Sequence, residues 1–380
     1  MIKYLGSKRR LVPVLDRICA ASGARTALDL FTGTTRVAQA FKAQGVHVTA
    51  VDSARYSHAF TRTYIETDAA VTDSGALRAA VTHLNSIPGT EGYVTETFSR
   101  QARFFQPHNA IRIDAARDAI DSEYAGTPLF PVLLTSLIEA ADRVDSTTGV
   151  QMAYVKQWAP RSANGLELRV PELLDGPGRA IQGDAVALAP ALGHFDLVYL
   201  DPPYNQHRYF TNYHVWETLV AWDAPESYGV ARKRVDARDP STRSAFNSKR
   251  TMPEALASVV SSLDCGLLVL SYNDESWLSV EELEEMCAIQ GEVATLAFDS
   301  ARYVGARIGI YDPSGRKVGR VGRLSNRELL VIAGEPAMVR RVIEAVGSDA
   351  PVPSTGSVAS AGTSPVGIAS SPVDRLQQAT

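Results

Sequence analysis

The run DLVYLDPPY at residues 196–204 decides the fold of this chain. Its apolar and β-branched positions are typical of a buried strand. The strand must end at Pro202 and Pro203, because proline can neither continue a strand ladder nor enter a helix interior. In an α/β sheet, ligands bind outside the carboxyl ends of the strands. The sequence therefore predicts that Asp201 and Tyr204 lie at a ligand site.

The tip of this strand offers two hydrogen-bond acceptors beside an aromatic ring. The acceptors are the Asp201 carboxylate and the carbonyl of Pro202, which is followed by a residue without an N–H. Such a pair next to Tyr204 suits a planar base that carries an exocyclic amine. The alternative is a plain turn, since Asp-Pro-Pro is also a common turn sequence. The rest of the chain has to decide between the two interpretations.

Composition is that of an ordinary globular protein. The 380 residues are 45% hydrophobic and 21% charged, enough for one large domain with an insertion or for two domains. No apolar run is long enough to span a bilayer and the first residues do not resemble a signal peptide, so we expect a cytoplasmic protein without a membrane partner. Cys19, Cys265 and Cys287 lie far apart. Their spacing predicts neither a disulfide framework nor a metal site.

A second ligand-binding pattern lies near the amino terminus. Residues 27–37 read as a buried strand ending near Asp29, a turn at Gly33 and the start of a helix, an arrangement that brings backbone N–H groups close to a ligand. About twenty residues later a second strand ends at Asp52, where dinucleotide-binding folds place the acid that binds ribose. Thr34 and Thr35 replace a second close glycine. An adenosine without phosphates therefore fits better than NAD.

The remaining elements predict the fold class. Short strands end near Gly183, Asp201 and Asn273, and a last strand covers residues 327–333. We expect an α/β protein with a Rossmann-like sheet and an inserted, mostly helical subdomain. The expected division is a sheet domain of residues 1–67 and 180–335, an insertion of residues 68–179, and a terminal segment of residues 336–380 whose tail, rich in Ser, Pro, Thr, Gly and Ala, is disordered from about Asp349. The insertion is either a recognition subdomain or a purely structural cap.

Basic residues concentrate in two segments although the formal net charge is −4. The first comprises Arg232, Lys233, Arg234, Arg238, Arg243, Lys249 and Arg250, and the second comprises Arg302, Arg307, Arg316, Lys317, Arg320, Arg323 and Arg327. Either segment could contact phosphate or form a solvated loop.

Several aromatic and basic residues after the proline pair, and one lysine of the insertion, are candidate nucleic-acid contacts. Arg208, Tyr209 and Tyr213 follow the tip and could line a base pocket, while Lys156 lies in a loop-rich part of the insertion. Tyr213 also has helical spacing to Trp216 and Leu219, the pattern of a core-facing stripe.

Taken together and in order, these motifs resemble the D12 class of adenine-specific DNA methyltransferases. The resemblance covers about residues 1–335 and rests on KYLGSK at residues 3–8, the turn at residues 29–35, Asp52, and the tetrad at residues 201–204. Phrases within the insertion, such as LIEAAD at residues 137–142, are similar as well. One departure is Thr35, where many relatives have glycine, which leaves open how closely the loop approaches the cofactor.

The resemblance implies an S-adenosylmethionine-dependent methyltransferase fold acting on double-stranded DNA, with a restriction endonuclease for the same site as a further partner and no metal. Asp201 and the Pro202 carbonyl would hold the two hydrogens of adenine N6, next to Pro203, and Tyr204 would stack on the base after it flips out of the duplex.

The cofactor site implied by the resemblance uses the amino-terminal motifs. Asp52 would bind the ribose hydroxyls, Asp29 the amino group of the methionine portion, Lys8 its carboxylate, and Asp184 the adenine amine. The full set of implied cofactor-binding residues is Tyr4, Gly6, Lys8, Asp29, Phe31, Gly33, Thr34, Asp52 and Asp184. The expected DNA contacts are Arg208, Tyr209, Tyr213, Lys249, Arg250 and Lys156.

Two other functions remain open. A methyltransferase of cytosine N4 or of RNA would use the same fold and a related tetrad. A catalytically inactive nucleic-acid-binding module would keep the fold, but it would have no use for Asp29, Asp52 and Asp201 together. A nicotinamide oxidoreductase fits less well because the pyrophosphate glycines are missing.

Overall fold

A computed structural model of the chain describes residues 2–6, 8–204, 206, 208–274, 276–301, 310–311, 317–319 and 325–347. The predicted disordered tail and most of the second basic segment lie outside these residues, as does Ser7 of the opening motif.

A seven-stranded sheet forms the centre of the described structure. Its strands in chain order are β1 Thr26–Asp29, β2 His47–Asp52, β3 Arg179–Gln182, β4 His194–Leu200, β5 Asp264–Asn273, β6 Glu292–Ala301 and β7 Ser325–Gly334. The spatial order is β3-β2-β1-β4-β5-β7-β6, and only β7 runs antiparallel to its neighbours. The order reverses between β1 and β4, which is where α/β sheets bind their ligands. The predicted fold class is thereby confirmed.

Helices cover both faces of the sheet. They are α1 Val12–Ser22, α2 Arg36–Ala43, α3 Arg55–Thr61, α4 Ser74–Ser86, α5 Pro107–Tyr124, α6 Leu129–Val144, α7 Ala185–Leu188, α8 Tyr209–Asn212, α9 His214–Ala221, α10 Met252–Ser262, α11 Val280–Cys287 and α12 Pro336–Val346. Short antiparallel pairs join Ser227–Tyr228 to Lys233–Arg234 and Ile310–Tyr311 to Lys317–Gly319. Among the described residues, no helix has the length and apolarity needed to cross a membrane.

Alternate residues of each central strand enter two separate hydrophobic clusters, as the two-residue period of a strand requires. Leu197 and Tyr199 of β4 belong to the cluster that contains α1, α2 and α12. Val198 and Leu200 belong to the cluster formed with α10 and α11. The strand is therefore buried on both faces, which explains its nearly continuous apolar sequence.

The helices of the insertion pack into the first of these clusters. Ile113 of α5 and Leu133 and Ile138 of α6 are completely buried in the same contiguous cluster as the residues of α1. Residues 68–179 thus share a hydrophobic core with one face of the sheet.

Helix α12 was not anticipated from the sequence, which assigned everything after residue 335 to a terminal segment. Glu335 caps its amino terminus by accepting from the N–H groups of Ala337 and Met338. Val339, Val342 and Val346 are buried, and the helix packs against α1. The folded domain therefore extends to at least residue 346.

We expect Val342→Ala to destabilise the protein by about 2 kcal/mol, because two buried methyl groups are lost at about 0.8 kcal/mol each and a small cavity remains. The exposed Glu344 of the same helix provides the control variant Glu344→Ala. Urea unfolding checks the difference. Equal stability of the two variants would mean that α12 is not part of the cooperative core.

Candidate active site

A cavity of about 550 Å³ opens at the carboxyl ends of β1, β2 and β4. Its lining includes Asp29, Gly33, Asp52, Asp201 and Pro203. The two strand tips singled out in the sequence therefore face one shared space. Its volume lies within the range of small-molecule sites, which is about 300–1,000 Å³.

Residues of the opening motif at positions 3–8 form one wall of this cavity. The Tyr4 ring stacks on Tyr213 with ring centroids 4.9 Å apart and on Tyr209 at 5.4 Å. The Leu5 N–H donates to the Tyr213 hydroxyl at 2.6 Å. This aromatic stack holds the segment that carries Gly6 against α8 and α9, and both Tyr4 and Gly6 line the cavity.

The glycine turn after β1 is built as the sequence predicts. Gly33 has φ +52°, in the left-handed region, and a Cβ at this position would lie 3.1 Å from the Tyr4 ring. Thr35 also has a positive φ of 62°, which is rare for a β-branched residue. Its hydroxyl accepts from Gln39 Nε2 at 2.7 Å and its N–H donates to the Thr32 carbonyl at 2.7 Å. Thr35 therefore adopts a left-handed backbone conformation that glycine adopts without strain.

Asp29 presents an acceptor to the cavity. Its Oδ2 accepts from the Thr32 hydroxyl at 2.9 Å, whereas Oδ1 is buried without a hydrogen-bond partner among the described residues. The pKa of Asp29 is raised to about 7, chiefly by burial and to a smaller extent by the nearby Asp201 and Asp52 carboxylates, while the hydrogen bond from Thr32 acts in the opposite direction. A positively charged or hydrogen-bond-donating ligand group would satisfy this oxygen.

Asp52 connects the end of β2 to the glycine turn. Its Oδ2 accepts from the Gly33 N–H and its Oδ1 from the Ala54 N–H, both at 2.9 Å. Burial raises the pKa of Asp52, and these backbone hydrogen bonds act in the opposite direction. The carboxylate is thus fixed beside the turn at the position where the sequence predicts a ribose-binding acid.

Asp201 is paired with Lys8 across the cavity. The Lys8 Nζ lies 3.1 Å from Asp201 Oδ1 and 3.0 Å from Oε2 of Glu328, which follows the start of β7. The pKa of Asp201 is raised to about 6, because burial and Glu328 raise it by more than Lys8 lowers it. For Lys8, burial lowers the pKa, but Asp201, Tyr204 and Glu328 raise it by more, so its pKa stays well above the usual value.

The observed contacts of Lys8 differ from those that the family resemblance implies. Its ammonium group was expected near a ligand carboxylate, but it is almost completely buried between two protein carboxylates. Glu328 was not anticipated from the sequence, where it is only a polar residue at the start of an apolar strand. Its Oε1 accepts from Asn273 at 3.2 Å.

The other three residues of the tetrad, residues 202–204, surround the carboxyl end of β4. Pro202 is buried and Pro203 lines the cavity. The Tyr204 ring packs edge-on against Tyr272 with centroids 5.3 Å apart, and Lys8 Nζ lies 5.3 Å from the Tyr204 ring centroid.

The other predicted cofactor residues also line the cavity. Phe31 packs edge-on against Phe246 with centroids 5.0 Å apart. Thr34 follows Gly33 in the turn, and Asp184 caps α7 by accepting from the N–H groups of Val186 and Ala187. The segment of residues 241–247, which includes Phe246, forms a further wall that the sequence did not predict.

The expected DNA contacts are separated into three groups. Arg208 and Tyr209 line the cavity, and Lys156, Lys249 and Arg250 are exposed. Tyr213, by contrast, is only 1% exposed, so its predicted contact with DNA is wrong and the helical-stripe interpretation holds.

Arg234 of the first basic segment is also buried. Its guanidinium group pairs with Asp223 and Asp236 at 2.6 and 2.7 Å. It is therefore not available to phosphate.

Comparison with known proteins agrees with this geometry. Residues 4–286 match the family described as D12 class N6 adenine-specific DNA methyltransferase. The chain is 30% identical over 300 residues to the modification methylase StsI of Streptococcus sanguinis, covering 74% of this chain and 45% of that protein. It is 29% identical over 301 residues to the type II methyltransferase M.NlaIII of Neisseria lactamica, covering 75% and 87%.

The chain thus spans about half the length of the StsI methylase and most of M.NlaIII. A solved structure of a putative SAM-dependent methyltransferase from Streptococcus mutans has 10% identity and a TM-score of 0.31, covering 87% of this chain and 50% of that one. This likeness is too low to support the fold, which follows from the strand order. The family match covers most of the chain, and the chain therefore belongs to the D12 class of N6 adenine-specific DNA methyltransferases.

Proposed function

We propose that this protein is a site-specific DNA methyltransferase that transfers a methyl group from S-adenosylmethionine to N6 of adenine. The observation that carries the proposal is the shared cavity, in which Asp29 and Asp52 face the same space as Asp201 and Pro203. Methyl transfer requires the donor and the acceptor to be held together, with the reacting atoms about 3–3.5 Å apart. Family membership supports the same reaction.

On the cofactor side, the chain offers acceptors where the ligand has donors. The Asp29 Oδ1, which has no hydrogen-bond partner among the described residues, fits an ammonium group, and the fixed Asp52 carboxylate fits ribose hydroxyls. The turn at Gly33 leaves little room for a Cβ, which would lie 3.1 Å from the Tyr4 ring at the cavity wall. When bound, S-adenosylmethionine would supply an electrophilic methyl group on a positively charged sulfur.

The remaining cofactor contacts follow from the lining of the same cavity. We assign Tyr4, Gly6 and Thr34 to its walls around the methionine portion, and Phe31 and Asp184 to the adenine. Lys8 keeps a long-range attraction for the ligand carboxylate, while its direct contacts are with Asp201 and Glu328. We propose no role for a metal ion.

On the substrate side, the tetrad would activate the target nitrogen. The N6 lone pair of adenine is delocalised into the ring, so the amine is a weak nucleophile. Asp201 and the Pro202 carbonyl would accept the two N6 hydrogens and concentrate charge on the nitrogen. The base must leave the duplex to reach them, and stacking on Tyr204, worth about 1–3 kcal/mol, would offset part of the unstacking cost.

The surface contacts are proposed from charge and exposure. Exposed Lys249, Arg250 and Lys156 would contact phosphates of double-stranded DNA, so that binding weakens as salt rises. Residues 68–179 would form the recognition region, while residues 1–67 and 180–335 would form the catalytic part. Because the substrate is DNA, we place the enzyme in the bacterial cytoplasm or nucleoid. A restriction endonuclease for the same site is the proposed partner.

We expect the wild-type protein and S-adenosylmethionine to convert adenine to N6-methyladenine in DNA from a host without adenine methylation. Asp201→Ala should abolish the product while leaving cofactor affinity largely intact, because Asp201 would act on the base. Nucleoside mass spectrometry measures the product and titration calorimetry measures the affinity. Asp264→Ala, at an exposed acid that starts β5 at its opposite end, is the control.

Two outcomes of that experiment would contradict the proposal. Methylcytosine in the DNA, or product only when RNA from the same host replaces the DNA, would favour the alternative substrates. Normal turnover by the Asp201→Ala variant would remove the tetrad from the mechanism.

Asp52→Ala should weaken S-adenosylmethionine binding by about 10- to 100-fold, since a hydrogen bond to a charged group contributes about 1.5–3 kcal/mol. Calorimetry checks the dissociation constant. A thermal unfolding scan of the same variant shows whether loss of the bonds to Gly33 and Ala54 has unfolded the turn. Unchanged affinity in a folded variant would exclude Asp52 from the ribose site.

Gly33→Ala should reduce cofactor affinity by about tenfold or more, equivalent to at least about 1.4 kcal/mol, because the new Cβ would displace Tyr4 from the cavity wall. Gly23→Ala is a matched control: Gly23 also has a positive φ, of +68°, but a Cβ there would meet nothing within 4 Å. Both variants carry backbone strain, so both should melt at a lower temperature. Equal cofactor affinity of the two would contradict a close approach at Gly33.

A further inference from the structure

We propose that Glu328 is a positioning residue that acts through Lys8 and keeps Asp201 able to accept the proton that N6 loses during methylation. This inference rests on the proposed function and assigns a role to a residue outside the tetrad. It is carried by the geometry of three side chains that come from distant parts of the chain. Lys8 precedes α1, Asp201 follows β4, and Glu328 lies on β7.

Methyl transfer to N6 creates a proton that the site must remove. The N6–CH₃ bond forms as the S–CH₃ bond breaks, and N6 is left with a positive charge. An N6–H bond then breaks, its electron pair stays on nitrogen, and the proton goes to a base. Asp201 supplies the carboxylate of the tetrad. Its side chain is only 19% exposed, so bulk water is poorly placed to take the proton instead.

A carboxylate paired with a lysine alone would be a poor base. The ammonium group of Lys8 stabilises the ionised form of Asp201, and the two together are neutral. Glu328 changes this balance because its Oε2 lies 3.0 Å from the same Lys8 Nζ that contacts Asp201 at 3.1 Å. With both carboxylates ionised, the three groups carry a net charge of about −1. One proton taken from N6 makes the set neutral.

Other contacts hold Glu328 in this position. Its Oε1 accepts from Asn273 at 3.2 Å, and Asn273 is paired directly with Glu328 in the antiparallel register of β5 and β7. Both carboxylate oxygens thus have defined partners, one on the neighbouring strand and one in the active site. A side chain that only made the strand end soluble would not need either contact.

The charges around Asp201 agree with this role. Burial and the Glu328 carboxylate raise the pKa of Asp201 and Lys8 lowers it, and the net result is a pKa of about 6, which is in the range useful for a base near neutral pH. The titratable groups that face Asp201 among the described residues are Lys8, Glu328, Asp29, Tyr199, Tyr204 and Tyr209. The three tyrosines have pKa values raised by burial and stay neutral, so the charges that act on Asp201 come from Lys8, Glu328 and Asp29.

The test is Glu328→Gln, which keeps the shape and a carbonyl oxygen for Lys8 but removes the charge. We expect the single-turnover rate of N6 methylation at pH 7 to fall on the order of tenfold, a fraction of the 10²–10⁴-fold that a general base provides. Cofactor affinity should be unchanged. Because Glu328 raises the pKa of Asp201, its removal should move the acid limb of the pH–rate profile to lower pH. The ¹³C resonance of the Asp201 carboxyl group should report the same lowered pKa.

The control is Asp299→Asn on β6. Asp299 is opposite Arg327 in the register, one residue from Glu328, and its side chain is 81% exposed. The Asp299→Asn substitution therefore removes a nearby charge that does not contact Lys8. The methylation rate and the pKa of Asp201 should stay at their wild-type values.

The outcomes separate this inference from the proposed function. If the wild-type protein methylates no adenine, the proposed function fails and the proton-acceptor role fails with it. If the wild type is active, a Glu328→Gln variant with the wild-type rate and Asp201 pKa overturns the inference alone. A slower variant whose Asp201 pKa is unchanged would make Glu328 a structural residue and would overturn it as well.

Discussion

Parallel pairing of β1 with β4 is the constraint on which the cavity depends. Asp29 lies opposite Tyr199 in this register, and the Leu30 N–H donates to the Tyr199 carbonyl at 3.2 Å. Because the two strands run in the same direction, their acidic ends emerge at the same edge of the sheet. A shift of one residue would turn every side chain of the strand to the opposite face. The distance between the turn at Gly33 and the tetrad is therefore fixed by backbone hydrogen bonds.

Three buried carboxylates, those of Asp29, Asp52 and Asp201, face the cavity, although arginines also lie on its lining. Burial raises the pKa of all three, and the Lys8 ammonium group contacts one of them, Asp201. Asp52 is compensated by two backbone N–H groups, but Asp29 keeps one buried oxygen without a partner among the described residues. Such an arrangement costs folding free energy and is typical of a binding site. A positively charged ligand would remove much of that cost.

The sequence predicted the features that depend on local chemistry. The strand ending at the proline pair, the turn at Gly33 and the acid after β2 are all marked by residues that restrict the backbone or end an apolar run. Glu328 could not be predicted in this way, because its meeting with Lys8 depends on β7 entering the sheet between β5 and β6. The predicted DNA contact of Tyr213 was wrong for a related reason, because a polar, aromatic stretch fits both a binding loop and the inner face of a helix. Only packing against Tyr4 distinguishes them.

The insertion is joined to the cavity by buried hydrogen bonds as well as by apolar packing. Arg117 of α5 is 2% exposed, and its guanidinium group donates to the carbonyls of Leu219 and Val220 at 2.7 and 3.3 Å. These carbonyls lie at the carboxyl end of α9, where a helix leaves acceptors unsatisfied. The same helix carries Glu217, which lines the cavity and accepts from the Arg55 N–H at 2.9 Å. Since the insertion also covers an apolar face of the sheet, it shares one folded core with the sheet. If the proposed function holds, a side chain of the insertion that reads DNA is anchored to the wall of the cavity that receives the base.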